Sequence, residues 1–291
     1  MKVIKLLEDR STPIFSFEFF PPKTDEGLES LMETIGQLKG LEPSYVSVTY
    51  GAGGSNAGKS LDLISTIKER FGLESMAHLT CVNSRADDIT KVLDAYRDAG
   101  VANILALRGD PPAGSREFKA SEGGYRHASE LVSHIKKNYD FCIGVAGYPE
   151  GHPESKSIDE DIRNLKLKVD AGGDFIVTQL FFNNDDFFRF EEMVRQAGIE
   201  VPIIPGIMPI TNFGQIERFT SMCGASIPDT VRNDLSDIKD DADEVAEYGT
   251  EYALRQCKGL IERGVAGIHF YTLNKSMATV TILKALHLSD S

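Results

Sequence analysis

A single carboxylate lies inside an otherwise apolar segment near the start of the chain. Glu18 stands within residues 15–20, where its neighbours are mostly phenylalanines, and the segment ends at Pro21-Pro22. An ionised carboxylate is costly in apolar surroundings, so it must be paired, accept hydrogen bonds or keep its proton through a raised pKa. The last option would suit a general acid that works near neutral pH. On this segment alone, an outward-pointing side chain or a pairing with a core Arg or Lys is the favoured interpretation of Glu18.

Other polar side chains follow the ends of further short apolar segments, and each also has an ordinary structural explanation. His78 could be a hydrogen-bonded core histidine, and Arg108-Gly109-Asp110 could be a turn with a local ion pair. Gln179 needs hydrogen-bond partners inside its strand, from a ligand or from a neighbouring strand. Gly51-Ala52-Gly53-Gly54 could hold a phosphate through backbone N–H groups, although a flexible loop is the favoured interpretation.

Two more candidates depend on spacing. Asp161, Asn164 and Lys168 share one face at the start of a predicted helix, where a solvated surface is the default interpretation. His152 has no second ligand at metal-binding spacing, so no metal site is predicted.

Apolar and amphipathic segments alternate along the chain. Eight apolar segments predict strands at residues 14–20, 45–50, 76–82, 102–107, 142–148, 175–182, 202–208 and 267–273. Eight amphipathic segments, several followed by Gly, predict helices at residues 28–38, 61–71, 87–99, 128–138, 159–171, 185–197, 213–223 and 245–263. This alternation indicates an α/β fold with a parallel sheet. The strand number, the length and the absence of a GxGxxG turn favour a single-domain (β/α)8 TIM barrel over residues 1–291, rather than an open doubly wound sheet.

Such a barrel would collect the candidate residues at one end. The C-terminal ends of its strands face a common rim, which is where these barrels place their active sites. Glu18, His78, Asp110, Gln179 and Tyr271 lie on or just after different predicted strands. The arrangement predicts an enzyme or a small-ligand binder. The acidic segment 234–247 is expected to be a solvated excursion from the barrel.

Composition limits the classes of partner. The net charge of −13, from 31 basic and 44 acidic residues, argues against binding to nucleic acid or to an anionic membrane. The four cysteines are scattered and form no CxxC motif, which is consistent with a reducing cytosol. The sequence shows neither a signal peptide nor an apolar run of membrane length, so a cytoplasmic protein is expected.

Seven short motifs, in order along nearly the whole chain, resemble the methylenetetrahydrofolate reductase family. They are SFEFFPP at 16–22, VSVTYGA at 46–52, HLTC at 78–81, ALRGD at 106–110, YPEGHPE at 148–154, TQ at 178–179 and HFYTLN at 269–274. The resemblance implies a (β/α)8 barrel. A chain that ends after the barrel is similar to the bacterial catalytic form, whereas the eukaryotic enzymes add a regulatory domain that binds S-adenosylmethionine.

The resemblance also implies an activity. It is the reduction of 5,10-methylenetetrahydrofolate to 5-methyltetrahydrofolate in a ping-pong sequence, with NADH or NADPH as donor and FAD as cofactor. A homo-oligomer is expected. A folate- or flavin-binding subunit that takes electrons from a partner protein stays open as an alternative. A barrel that uses a Schiff-base lysine is disfavoured, because no Lys lies inside a predicted strand.

Individual roles follow from the same resemblance. Glu18 would be the general acid that protonates a folate nitrogen, so its apolar strand should raise its pKa. Asp110 would lie near the pyrimidine edge of the flavin and contact the pterin. The positions matched to FAD binding are Thr49, His78, Arg108, Gly109, Asp110, His127, Ala128, Tyr148, His152, Glu154, Asp161, Asn164 and Lys168. Of these, Arg108, His152 and Lys168 are the expected phosphate partners. The positions matched to folate or nicotinamide contacts are Gln179, Gln215, Phe219, Tyr271 and Lys275.

Three positions depart from the family pattern. His127 stands where some relatives have Tyr, and Leu167 replaces an Arg. Lys275 replaces an Arg that is expected to meet the glutamate tail of the folate, and a lysine keeps the charge but lacks the bidentate geometry. These departures bear on FAD affinity and tail recognition rather than on the chemistry.

Overall fold

A closed barrel of parallel strands forms the centre of the protein. The computed structural model describes residues 1–8, 12–50, 57–111 and 118–287. Each strand pairs with the next along the chain, and the eighth pairs back onto the first, which confirms the predicted (β/α)8 barrel. The strands are β1 (Ile14–Phe19), β2 (Tyr45–Val48), β3 (Ser75–Thr80), β4 (Asn103–Leu107), β5 (Cys142–Gly147), β6 (Phe175–Leu180), β7 (Ile203–Ile207) and β8 (Gly267–Tyr271).

Helices surround the barrel and connect its strands. Those in the described residues are α1 (Val3–Glu8), α2 (Asp25–Lys39), α3 (Ala57–Phe71), α4 (Ala86–Asp98), α5 (Ala128–Asn138), α6 (Ile158–Asp170), α7 (Asn184–Gln196), α8 (Phe213–Cys223), α9 (Asp229–Ile238), α10 (Ala242–Glu262) and α11 (Met277–His287). The glycines after α4, α6, α7 and α10 have positive φ, which confirms the helix ends expected from Gly100, Gly172, Gly198 and Gly264.

Three helices, α1, α9 and α11, are absent from the sequence prediction. The six-residue α1 is too short to show a period, but its Val3 and Leu7 are buried against the N-terminal end of the barrel. The sequence of α11 is apolar over most of its length and lacks the polar face that an amphipathic pattern requires. Its Ile282, Leu283 and Leu286 are buried in the main core.

The acidic segment 234–247 is exposed at most of its positions, as expected of a solvated surface, and it is helical at both ends, which was not predicted for its first residues. Its first residues belong to α9 and its last to α10, and Asp241 caps α10 by accepting two N–H groups of the first turn. On α9, Val231 and Leu235 lie four residues apart and are both buried. Two apolar residues among so many acidic ones are too few to indicate an amphipathic helix, so α9 was not predicted.

The interior of the barrel changes from apolar to polar along its strands. At the N-terminal end, inward side chains such as Ile14 and Tyr45 pack with α1 in one buried cluster. Along β1 the following inward positions are Ser16 and Glu18, while Phe17 alternates outward beneath the helices. The C-terminal mouth is therefore the polar end of the barrel.

None of the helices within the described ranges is both long and apolar enough to cross a bilayer. Across the same ranges, no three His, Cys, Asp or Glu side chains are grouped as metal ligands would be. All four cysteines are free thiols, and Cys223 is the least buried of them.

Candidate active site

The carboxylate of Glu18 lies in a polar cluster inside the C-terminal mouth of the barrel. Its Oε2 atom is 3.5 Å from Nε2 of His78 on β3 and 3.6 Å from Nε2 of His269 on β8. Both histidines are buried, whereas 21% of the Glu18 side chain is exposed. Glu18 is therefore paired with two histidines rather than with a core Arg or Lys.

The pKa of Glu18 lies below its ordinary value, which corrects the expectation that its apolar strand raises it. Burial is the largest single influence and does raise this pKa, but the hydrogen bond with His269 and the charge that the two histidines carry when protonated together outweigh it. Burial also holds the pKa of His78 at about 4, although Glu18 raises it. His78 is therefore neutral near pH 7, and Glu18 is ionised in the open site.

His269 is held from the barrel floor by two serines. Nδ1 of His269 is 2.8 Å from Oγ of Ser16, and Nε2 is 3.4 Å from Oγ of Ser47. The register explains these contacts, because Ser16 on β1 stands opposite His269 and Glu18 stands opposite Ser47. The sequence analysis includes His269 in a motif but assigns it no role. The sequence shows only that His269 lies on β8, and its contacts with β1 arise only because the barrel closes.

A bidentate ion pair joins the ends of β4 and β5 at the rim. Nη1 and Nη2 of Arg108 donate to the two carboxylate oxygens of Glu154 at 2.5 and 2.7 Å, and the guanidinium lies over the ring of Phe118. The hydrogen bonds from Arg108 lower the pKa of Glu154. Arg108 would have to exchange Glu154 for a phosphate in order to bind one. The next residues along the chain are Gly109, with φ of +86°, and the exposed Asp110.

Beside this pair lies a half-buried cluster of aromatic and ionisable groups. The rings of Tyr148 and His152 meet edge to face at 4.7 Å, and Nζ of Lys168 donates to the carbonyl oxygen of Ala146 at 2.6 Å. Burial lowers the pKa of Lys168 to about 8, although Asp161 raises it. Burial raises the pKa of Asp161 in turn, against the influence of Lys168 and His152. Asp161 is buried and Lys168 is partly buried, so these two residues do not lie on the solvated helix face that spacing alone predicts.

Gln179 of β6 and Tyr271 of β8 lie close together at the mouth, where Tyr271 bonds to the residue before Gln179. The pairing of β6 with β7 shifts register around Thr178. The Thr178 hydroxyl accepts the N–H of Gly206 at 2.9 Å, and its carbonyl accepts the Tyr271 hydroxyl at 2.6 Å. Oε1 of Gln179 accepts the N–H of Leu180 at 2.8 Å. Burial raises the pKa of Tyr271 well above its ordinary value, so its hydroxyl is a neutral donor.

The remaining residues predicted as contacts are less enclosed. Thr49, Ala128 and Phe219 are partly buried, and His127, Asn164, Gln215 and Lys275 are exposed. Phe219 packs in the apolar cluster that also holds Tyr271. His127 precedes α5, and its backbone N–H donates to Glu130 at 3.1 Å. Asn164 does not share the burial of Asp161 and Lys168.

The glycine-rich segment after β2 lies outside the described residues, so the hypothesis on Gly51-Ala52-Gly53-Gly54 stays a hypothesis. Reasoning from the sequence also missed that Gly58-Lys59-Ser60 completes a GxxxxGKS spacing, the P-loop pattern. Ser60 is buried, and its hydroxyl donates to the carbonyl of Thr49 at 2.9 Å. That hydroxyl is therefore occupied and not presented to a phosphate-bound metal ion.

Known proteins resemble this chain over almost its whole length. The family model for methylenetetrahydrofolate reductase matches residues 2–287. Methylenetetrahydrofolate reductase (NADH) 1 of Arabidopsis thaliana is 42% identical over 298 residues, which cover 99% of this chain and 50% of the plant protein. The 5,10-methylenetetrahydrofolate reductase of Escherichia coli K12 is 41% identical over 271 residues, which cover 93% of this chain and 90% of the bacterial protein. The chain thus spans about half the length of the curated plant relatives it matches.

Solved structures share the barrel at much lower identity. A protein from Clostridium thermocellum described as binding two copies of 5-methyl-5,6,7,8-tetrahydrofolic acid aligns with a TM-score of 0.66 at 17% identity, over 99% of each chain. An oxaloacetate acetylhydrolase aligns with a TM-score of 0.52 at 13% identity, over 99% of this chain and 84% of that one. These likenesses support the fold alone. The match to the family model and the identity to the E. coli reductase go further, and they show that the chain belongs to the methylenetetrahydrofolate reductase family.

Proposed function

We propose that this chain reduces 5,10-methylenetetrahydrofolate to 5-methyltetrahydrofolate, with NADH as the electron donor and FAD as the bound cofactor. Membership of the family supports the folate substrate, and the name of the Arabidopsis relative specifies NADH. The observation that carries the proposal is the carboxylate of Glu18, held between His78 and His269 at the mouth of the barrel. Opening the five-membered folate ring needs an acid at one fixed point, and Glu18 supplies it.

The residues beside Glu18 suit FAD. The buried Nε2 atom of His78 makes no hydrogen bond among the described residues, since Oε2 of Glu18 lies 3.5 Å from it, and a polar edge of the isoalloxazine would supply one. Lys168 would hold the diphosphate, joined by Arg108 if Glu154 gives way, because hydrogen bonds from ionised donors to phosphate are strong. His152, whose Nδ1 accepts the N–H of Glu154, would add a donor from Nε2. When bound, FAD would carry the hydride between NADH and the folate.

Glu18 would hold the proton that a folate nitrogen takes up as the ring opens. In the open site its pKa is low, because the histidine contacts outweigh burial. The exposed 21% of its side chain still meets water, and a substrate lying across the mouth would remove that water and raise the pKa. Glu18 would then take up its proton as the substrate binds, so that proton transfer to the folate follows binding.

The other side of the mouth offers contacts for a planar ring and an acidic tail. Phe219 and Tyr271 belong to one apolar cluster and would contact a planar ring, and Gln179, next to the Thr178 that binds Tyr271, would supply an amide. The exposed Lys275 would meet the glutamate tail as a point charge. Asp110, exposed just beyond β4, would place a negative charge at the rim and so favour the movement of electrons outward to the folate.

Absorbance measurements on the purified protein test this proposal. We expect flavin absorbance, its bleaching by NADH under anaerobic conditions, and its return when 5,10-methylenetetrahydrofolate is added, with 5-methyltetrahydrofolate as product. Tetrahydrofolate without the one-carbon unit is the control and should leave the bleached spectrum unchanged. A protein that binds no flavin after incubation with FAD would contradict the cofactor. Bleaching by dithionite but by neither nicotinamide would favour a partner protein as the electron donor.

A further inference from the structure

The chain just after β8 holds the main chain at the end of β1. The hydroxyl of Thr272 donates to the carbonyl oxygen of Glu18 at 2.6 Å. The side chain of Asn274 bonds both main-chain groups of Phe20, because Oδ1 accepts the N–H at 3.0 Å and Nδ2 donates to the carbonyl at 2.8 Å. The backbone pairing of β1 with β8 ends at the pair of Glu18 and Tyr271. The side chains of Thr272 and Asn274 therefore continue the hydrogen bonding between the two segments beyond the last backbone pair.

The backbone of this segment has a conformation that side chains disfavour. Leu273 has φ of +51° and Asn274 has φ of +57°, two consecutive left-handed residues that are not glycine. The carbonyl of Asn274 also accepts the hydroxyl of Thr34 on α2 at 3.4 Å. The conformation is thus held from both β1 and α2. Strained backbone of this kind persists where the surrounding structure over-determines it, often beside functional sites.

We propose that Thr272 and Asn274 are positioning residues that fix the end of β1 and thereby the direction in which Glu18 delivers its proton. This inference rests on the proposed function. The Glu18 side chain faces His78 on β3 and both His269 and Tyr271 on β8. A movement of β1 would change its distance from all three groups and from the substrate. A misplacement on the order of 1 Å can slow a reaction by about 100-fold.

A substitution of Asn274 can separate its positive φ from its hydrogen bonds to Phe20. Asn274→Gly keeps the positive φ and removes both hydrogen bonds to Phe20. Thr272→Val removes the hydroxyl at nearly constant volume, and Thr272→Ser keeps it. Glu42→Gly is the matched control, because Glu42 is exposed, has φ of +52° and lies between α2 and β2 at the opposite end of the barrel.

Stopped-flow absorbance separates the NADH-dependent step from the folate-dependent step. We expect Asn274→Gly and Thr272→Val to slow the folate-dependent step by about 10- to 100-fold and to leave the NADH-dependent step within about twofold of wild type. The apparent pKa of the folate-dependent step should rise as Glu18 moves away from His269, and Thr272→Ser should restore both quantities. Equal slowing of both steps would indicate a general structural defect and would overturn the proposal.

Hydrogen exchange of the Phe20 amide gives a readout that needs no activity. We expect exchange to be about 10-fold faster in Asn274→Gly and unchanged in Glu42→Gly. Unchanged exchange in Asn274→Gly would overturn the proposal. Folate turnover of Glu18→Gln distinguishes the proposed function from the positioning role of Thr272 and Asn274. Normal folate turnover in that variant would contradict the proposed function, and exchange at Phe20 would then decide alone whether these side chains hold β1.

Discussion

Gly206 on β7 is a position where one added methyl group should disturb the site from a distance. A Cβ atom built on its backbone would lie 2.4 Å from the carbonyl oxygen of Thr178 and 2.6 Å from Cε2 of Tyr271. Neither neighbour is a flexible chain end, since one is backbone and the other is a ring whose hydroxyl donates to that same carbonyl at 2.6 Å. Gly206→Ala must therefore displace β6, Tyr271 or both.

The expected loss of stability has two parts. Overpacking a filled interior costs about 1–3 kcal/mol, and loss of the hydrogen bond from Tyr271 to Thr178 costs about 1 kcal/mol. The free energy of unfolding should fall by about 2–4 kcal/mol, which lowers Tm by roughly 5–15 °C for a domain of this size. Because Tyr271 and the adjacent Gln179 are predicted substrate contacts, KM for the folate should rise by about 10-fold, equivalent to about 1.4 kcal/mol.

Scanning calorimetry and steady-state kinetics measure these two effects. Gly58→Ala is the matched control, because Gly58 lies on α3 and a Cβ there would meet no atom of the described part of the chain within 4 Å. Alanine at that helical position should be neutral or should stabilise the protein by up to about 1 kcal/mol. A Gly206→Ala protein with the Tm and KM of the wild type would refute the reasoning. Equal destabilisation by both alanines would also refute it.

Two other substitutions probe buried ionisable groups. Lys168→Met should destabilise the flavin-free protein by about 1–3 kcal/mol, because it leaves the buried Asp161 without its nearby cation. It should also weaken FAD binding by about 10- to 100-fold in calorimetric titration, and unchanged affinity would exclude Lys168 as a phosphate partner. The pKa of His78 is about 4 when folded and 6.5 ordinarily, so the unfolded chain binds more protons between these values and stability falls as pH falls. Between pH 7 and pH 5, the free energy of unfolding measured in urea should fall by about 2 kcal/mol less in His78→Gln than in the wild type. An equal fall in both proteins would contradict the burial argument.

The barrel itself could be predicted because each of its elements has a local signal. Strands buried on both faces read as continuous apolar runs, and the amphipathic helices between them end at glycines such as Gly100 and Gly198. The exceptions have physical reasons. In α9 the acidic residues conceal the pair Val231 and Leu235, and α11 is too apolar to show a face.

The candidate site could be predicted only as a set of residues that share a rim. The contacts between these side chains depend on the register of the strands and on the closure of the barrel. Neither can be predicted from a short segment of sequence. Glu18 was recognised, but its pKa follows from His269, which reaches it only because β8 pairs with β1. The pairing of Arg108 with Glu154 and the register shift around Thr178 are likewise tertiary features.

Glu18→Gln, followed through both half-reactions under anaerobic conditions, tests most directly whether Glu18 delivers the proton. Glutamine keeps the shape of the side chain but has no proton to give at neutral pH. The expected result is wild-type FAD content, bleaching by NADH within about twofold of the wild-type rate, and recovery of absorbance with 5,10-methylenetetrahydrofolate slowed by about 10²- to 10⁴-fold. Recovery at the wild-type rate would contradict the role of Glu18 as the acid.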